Sequence, residues 1–381
     1  MEAASFLEEA RRHGFDFYTG VPCSFLTPLI DQLSTNMSPV HVGASSEGEA
    51  VAIASGAWLA GRSPVVYCQN SGLGNSVNPL TSLNFPFRIP LLLMVTLRGQ
   101  PGMSDEPQHE LMGEITTALL NLMRINWCEL PSSATELADA LGSAKVQLRS
   151  SCLPFALLVK KDVFEGAQPS AAAQERQFAG EIVDLRTHES LVTRLSALER
   201  FLAIVPADAA VIVTTGKCGR ELFTLCDRSQ HLYQVGSMGC ASAMALGVAL
   251  NSPRPVVVLD GDGAALMKLG NLSTIGAHQP ENLVHVILDN QSHDSTGGQA
   301  TSSANVNFAS VAAACGYAGA FSADTLTTFE TALQSAFQKP GPTLIHLKVK
   351  PGSMSNLGRP TVAPFEVARR FREFLSEVPA S

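Results

Sequence analysis

The chain has 381 residues, 45% hydrophobic and 16% charged, which is enough for two domains that each bury a core. A formal net charge of −8 argues against nucleic acid or an anionic membrane surface as partner, so an anionic ligand requires a local cluster of positive groups. The longest apolar run, Ile89 to Val95, is too short to cross a bilayer, the acidic N-terminus lacks a secretory pattern, and the eight cysteines show neither a CxxC pair nor zinc spacing, which together read as a cytoplasmic protein with reduced thiols.

Short apolar strands alternate with amphipathic helices on both sides of an Ala- and Gln-rich stretch, Glu165 to Gln177, and no short repeat appears. The pattern predicts an α/β protein of two open parallel-sheet domains: residues 1–165, a linker over 166–186, and residues 187–381. In the first, a helix is expected over Ala3 to His13, then a strand around Phe15 to Thr19 and a turn from Gly20 to Ser24. His41-Val42-Gly43 is another strand end, and a helix runs from Glu47 to about Ala60, closed by Gly61 and Pro64. Val65 to Cys68 reads as a buried strand leading into a polar loop, Gln69 to Asn75, where Gly72 and Gly74 permit close approach of a ligand. The strand Ile89 to Thr96 is followed by Arg98, Gly99 and Gly102, then Asp105-Glu106-Pro107-Gln108-His109.

The second domain opens with a helix expected over His188 to Ala203 and a strand, Val211 to Thr215, ahead of Gly216-Lys217. Gly236-Ser237-Met238-Gly239 precedes a small-residue helix, Ala241 to Leu250. Val256 to Leu259 is then a buried strand followed by Asp260-Gly261-Asp262-Gly263, a helix expected over Ala264 to Ala277, and a second strand, Leu283 to Leu288, running into Asp289-Asn290. In such a βαβ unit the strands are parallel and their C-terminal ends lie side by side. Asp262 and Asn290, 28 residues apart, therefore converge at one sheet edge beside a helix N-terminus. A carboxylate and an amide oxygen there suit Mg²⁺ carrying diphosphate oxygens. An EF-hand loop from Asp260 fails at Ala264 and Asn271, a dinucleotide fingerprint from Gly261 fails at Leu266, and a phosphate loop ending at Gly216-Lys217 fails at Val211 and Cys218. A tight turn with solvated aspartates is the plainer alternative. The chain closes with a strand, Thr343 to Val349, a loop holding Arg359, and a helix, Phe365 to Leu375.

GDG, roughly thirty residues, then an Asn-type pair closing a strand resembles the signature of thiamine-diphosphate enzymes, with Asp289-Asn290 in place of the usual Asn-Asn. The segment Asp289 to Gln299 and the Arg98 to His109 run narrow the resemblance to the phosphonopyruvate decarboxylases, with the sulfopyruvate decarboxylases as close cousins. The resemblance implies a pyrimidine-binding first domain and a diphosphate-binding second domain, with thiamine diphosphate and Mg²⁺ as cofactors. It assigns the metal to Asp262, Asn290 and the backbone carbonyl of Ser292, and the diphosphate loop to Gly261 and Gly263. Gly236 would meet the cofactor's 4′-amino group, Met238 would wedge its two rings into a V, and Gly72 would lie over it. Glu47, nine residues before Gly56, would share a proton with N1′ of the aminopyrimidine, a role served by a buried carboxyl of raised pKa. Gly20-Val21-Pro22 resembles the family's turn beside the active site, which places Ser24 near the substrate. Arg98 and His109 could clamp the substrate's tetrahedral anion. His293 could protonate the intermediate or contact that anion, and Arg359 is a further candidate for it.

Read without the resemblance, each of these residues has a plainer role. Glu47 would favour a helix N-terminus, Arg98 would be solvated, Met238 would be core, and His293 would be an ordinary loop histidine. The resemblance implies non-oxidative decarboxylation of 3-phosphonopyruvate, a small anionic 2-oxo acid, to phosphonoacetaldehyde and CO₂. Sulfopyruvate is the alternative substrate, and a carboligase or a non-catalytic binding protein of the same fold are the more distant readings. Because Glu47 and the metal residues fall in different domains, the family arrangement implies a homodimer or larger assembly with active sites between subunits.

Overall fold

The computed structural model describes residues 1–35, 39–166 and 180–377. Contacts divide the chain into two units, Met1–Glu175 and Arg176–Ser381. Among the described residues no helix is long and apolar enough to cross a membrane.

The first unit is built on six parallel strands: β1 (Phe17–Gly20), β2 (Val40–Gly43), β3 (Pro64–Gln69), β4 (Leu92–Thr96), β5 (Asn126–Glu129) and β6 (Phe155–Val159), in the order β2-β1-β3-β4-β6-β5. β4 and β6 are buried along their whole length, as expected for a parallel sheet covered on both faces. The pleat sends alternate residues to two cores. Val65, Tyr67, Leu92, Met94 and Leu157 pack with Phe6, Phe15 and Leu141 on one face, and Val66, Cys68, Leu93, Val95 and Leu158 pack with Ala50, Ala54 and Leu120 on the other. Each large side chain so buried contributes about 1.5–3 kcal/mol. The Glu47–Leu59 helix starts at Ser46, whose side chain caps Glu49 N, and is buried on nearly every side, which its alanines and glycines allow.

The second unit is an eight-stranded parallel sheet. Its strands are β7 (Glu181–Asp184), β8 (Val192–Thr193), β9 (Ala210–Val213), β10 (His231–Tyr233), β11 (Val256–Gly261), β12 (Leu283–Asp289), β15 (Gly319–Ala323) and β16 (Thr343–Lys350). They run in the order β10-β9-β11-β12-β16-β15-β7, with β8 beside β16, and a short hairpin of β13 (Ser292–His293) and β14 (Gln299–Ala300) follows β12. Register pairs Gly261 with Leu288, so Asp262 and Asn290 leave the same edge of the sheet.

Four expectations are corrected. Residues 167–179 of the expected linker lie outside the described residues, and residues 181–184 form β7, paired with β15, rather than linker. The helix expected from His188 begins at Arg194: Thr187 and His188 donate their backbone N–H groups to Asp324, Val192–Thr193 pairs with β16, and Thr193 caps the helix at Ser196 N. The single helix expected over Ala264 to Ala277 is two, Asp262–Met267 and Asn271–His278, because Lys268 leaves helical geometry and Asn271 is anchored through Nδ2 to Gly239 O and Ser242 Oγ, both at 2.9 Å. The polar loop expected after β3 is helical from Asn70 to Pro79, since the buried Asn70 side chain ties that first turn to Arg98 O at 2.8 Å.

Candidate active site

A cavity of about 180 Å³ opens at the C-terminal edge of β9, β11 and β12, where an open α/β sheet binds its ligands. Its wall includes Asp260, Gly261, Asp262, Gly263, Asn290, Ser292, His293 and Met238. Asp262 is only 3% exposed, and among the described residues Thr301 Oγ1 donates to its Oδ2 in a short contact, with the Ser303 hydroxyl close by. Burial raises its pKa, Thr301 partly offsets that, and the nearby negative charge of Asp289 adds to the rise. Gly263 forms a cradle: a Cβ there would sit 2.7 Å from His293 Cε1 and 3.2 Å from Met238 Cε. Met238 is half-buried and lines the cavity, so it is not a plain core residue. Gly236 adopts φ +61° and is exposed, just ahead of it.

Asn290 is held on both sides of its amide. Oδ1 accepts from Ser292 N at 3.1 Å, and Nδ2 donates to Asp294 Oδ2 at 2.7 Å. Asp294 in turn accepts from Arg194 Nη1 at 3.1 Å, and the buried Arg194 donates through Nε to Glu221 at 2.6 Å and through Nη2 to Gly352 O at 3.1 Å. Arg194 therefore spends its charge on two carboxylates. Lys217 also lines the cavity, at the start of the Lys217–Leu225 helix, and has no hydrogen-bond or ion-pair partner among the described residues.

The donor set fits a hard cation with a diphosphate. Among the described residues no group of three or more His, Cys, Asp or Glu side chains could hold a metal, and the expected set has one carboxylate, one amide and one backbone carbonyl. Such a set suits Mg²⁺, which is commonly held by one or two carboxylates and completed by phosphate oxygens and water. One buried polar atom on the cavity residues, Thr214 Oγ1, lacks a hydrogen-bond partner among the described residues, while Asp260 Oδ2 faces His285 Nε2 at 3.5 Å. Lys217 and the N-terminus of its helix supply positive potential there.

In the first unit, Glu47 sits at the head of its helix, half-buried within its own unit. Asn75 Nδ2 donates to Oε2 at 2.8 Å, and Oε1 lies over Gly72, where a Cβ would come within 2.1 Å of it. Neighbouring Glu49 is the buried helix-start carboxylate, with Oε2 accepting from Ser45 N at 2.6 Å. The remaining substrate candidates form a second cluster at the edge of β1, β3 and β4. Arg98 is locked by Asp105 through Nε at 2.7 Å and a short contact at Nη2, and its Nη1 donates to Ser24 Oγ at 3.0 Å. That pairing holds the Asp105 carboxyl far below the usual carboxylate range. The Cys23 thiol also lies within hydrogen-bond reach of the guanidinium, and the N–H groups left over can meet a ligand. His109 is buried, with Nδ1 3.4 Å from Gln69 Nε2, and Cys23 Sγ lies 3.6 Å from Gln69 Oε1. Arg359 is exposed on a loop pinned by Arg220 to Gly358 O and Leu357 O, and it does not line the cavity.

Sequence reading missed Arg194, Asp294, Lys217, Thr301 and Gln69. HDS after Asn290 and the rejected Gly216-Lys217 pair hinted at two of them; Arg194 and Thr301 reach the site only through tertiary packing.

Residues 3–120 match the family described as thiamine pyrophosphate enzyme, N-terminal TPP binding domain, and residues 215–347 match its C-terminal TPP binding domain. The chain is 50% identical over 370 residues to a phosphonopyruvate decarboxylase of Streptomyces viridochromogenes, covering 96% of this chain and 93% of that one. It is 29% identical over 385 residues to a sulfopyruvate decarboxylase of Methanosarcina acetivorans, covering 97% and 96%. A solved thiamine diphosphate-dependent 4-hydroxybenzoylformate decarboxylase of Rhodococcus jostii shares the fold, with a TM-score of 0.73 at 14% identity over 93% of this chain and 100% of that one.

Proposed function

The chain belongs to the phosphonopyruvate decarboxylases of the thiamine pyrophosphate enzyme family, and from that premise we infer that it is a carboxy-lyase converting 3-phosphonopyruvate to phosphonoacetaldehyde and CO₂. The observation that carries this reading is the 50% identity extending over 96% of the chain, through both halves of the site. Bound thiamine diphosphate supplies the carbon nucleophile and the electron sink for decarboxylation.

The chain's own residues divide the remaining work. Asp262, Asn290 and the Ser292 carbonyl hold Mg²⁺, and Gly261 and Gly263 leave room for the diphosphate, with Lys217 and Thr214 as its further partners. Met238 and Gly236 seat the rings. Glu47 Oε1, free of the Asn75 hydrogen bond, would be the oxygen that holds and returns a proton at the pyrimidine N1′ when the cofactor is bound. Gly72 makes space for that oxygen. Ser24, Arg98 and His109 bind the phosphonate; Asp105 fixes the guanidinium plane so that its remaining N–H groups are aimed before the substrate arrives. His293, against Gly263 and Met238, protonates the product carbon or contacts the substrate's anionic end. A homodimer or larger assembly, pairing the two halves of the site across subunits, belongs to this proposal, as does a cytoplasmic location, which all eight cysteines being free supports.

The deciding experiment supplies phosphonopyruvate and sulfopyruvate to the same enzyme with thiamine diphosphate and Mg²⁺ and follows aldehyde release. A kcat/KM at least tenfold higher for phosphonopyruvate is expected. Equal or reversed preference would move the assignment to the sulfopyruvate branch.

A further inference from the structure

Asp289 stands where this family's signature has Asn, and burying a carboxylate there, at 1% exposure, is costly unless it is paired. The pairing comes from the adjacent strand. His346 on β16 reaches Asp289 Oδ2 at 2.9 Å, while Oδ1 accepts from Ser303 Oγ at 2.8 Å and from Gln291 N at 3.0 Å.

Oδ1 already accepts the backbone N–H of Gln291, so the Ser303 hydroxyl beside it is the donor of the pair. Ser303 has one hydroxyl proton and spends it on Asp289. Thr301 Oγ1 accepts from Ser303 N at 3.3 Å; its one proton is within reach of Ser303 Oγ at 2.9 Å and of Asp262 Oδ2, and the shorter contact, to the carboxylate, takes it. Thr301 is itself anchored by its backbone N–H to Gln291 O at 3.1 Å. An Asn at 289 could turn its NH₂ toward Ser303 and release the Ser303 proton toward Asp262 instead. The Asp–His pair removes that freedom.

We propose that Thr301, held in one hydrogen-bonding sense by the buried His346–Asp289–Ser303 chain, is the positioning residue that occupies Asp262 Oδ2 and reserves Oδ1 for the divalent cation. The proposal rests on the reading of Asp262 as the cation's carboxylate. It assigns a role to His346, Asp289, Ser303 and Thr301, none of which touches the substrate, and it explains why a charged residue is tolerated in place of the amide.

Mn²⁺ serves as the probe, with free Mn²⁺ read by electron paramagnetic resonance on the full chain in the presence of thiamine diphosphate. Thr301→Val, which keeps the shape and removes the hydroxyl, should weaken Mn²⁺ binding about 10- to 100-fold, the usual cost of losing a group that orients a metal ligand. Thr301→Ser should restore it, and His346→Gln should show a smaller loss in the same direction. If Thr301→Val unfolds by circular dichroism, Ser303→Ala carries the same test, with a loss of several-fold expected. Unchanged Mn²⁺ affinity in Thr301→Val or its substitute, with Asp262→Asn abolishing binding, overturns this proposal and leaves the cation site intact. Parent-like affinity in Asp262→Asn would overturn the cation site itself.

Discussion

In the second unit the groups behind the proposed cation seat are buried and hydrogen-bonded to one another. Arg194 ties Glu221 to Asp294, Asp294 holds the Asn290 amide, and His346 holds Asp289. In the first unit, Glu47 has one hydrogen bond, from Asn75, and stands half-exposed at a helix start. The contrast matches what the proposed function asks of each half. A cation seat works best when its ligands are already oriented, so the fold fixes them with a network. A carboxylate that must hold a proton and give it back is better left with one oxygen uncommitted. Damage to the first unit's carboxylate should therefore appear as lost rate, and damage to the second unit's network as lost stability.

The largest effect expected on rate comes from Glu47→Gln. The amide keeps the shape and can still meet Asn75, but it cannot cycle a proton, so kcat should fall by about 10²- to 10⁴-fold. Thiamine diphosphate affinity by calorimetry should stay within a few-fold of the parent, and the melting temperature should not fall. A variant with near-normal turnover would remove Glu47 from the mechanism. One that melts well below the parent would erase the contrast between the two units.

Arg194→Met is the matching change in the second unit. It leaves Glu221, 0% exposed, and Asp294 without their shared cation, and breaking a buried pair in this way costs about 3–5 kcal/mol. The loss should be visible in chemical denaturation, and cofactor affinity should fall with it because Asn290 loses its anchor at Asp294. Full stability with unchanged cofactor binding would mean that the network is ornamental to the seat.

The same contrast decides what could be read from sequence. The two parallel sheets, the convergence of Asp262 with Asn290 and the room at Gly72 were legible, because a βαβ unit and a glycine constrain backbone placement by themselves. The break at Lys268 was not, since residues 264–277 carry an unbroken helical pattern and the cause is Asn271 reaching across to Gly239 and Ser242. Nor was the early helix at Asn70, whose side chain answers to Arg98 O. The pairing of Arg98 with Asp105 sits within a run read as a clamp, yet seven residues of separation did not disclose that the carboxylate takes two guanidinium contacts first. Partners such as Arg194 for Asp294, 100 residues apart, depend on packing that no local spacing encodes.

Gly72→Ala is the smallest change and tests the contrast where it is finest. The added Cβ would stand 2.1 Å from Glu47 Oε1 and 2.4 Å from Cδ, so the side chain must swing away. Glu47 is half-exposed within its own unit, so its side chain has room to swing, and the stability cost should lie at the low end of the ~1–3 kcal/mol typical of overpacking. Turnover should nevertheless fall about tenfold or more, because displacing a proton-sharing oxygen by an ångström is expensive for rate. Shortening the acid in the double variant Glu47→Asp, Gly72→Ala separates the causes. If the Cβ acts by steric displacement, the two changes should be strongly non-additive in kcat. Additive losses would mean that Gly72 matters for the backbone of its own helix, and that the free Oε1 of Glu47 owes nothing to it.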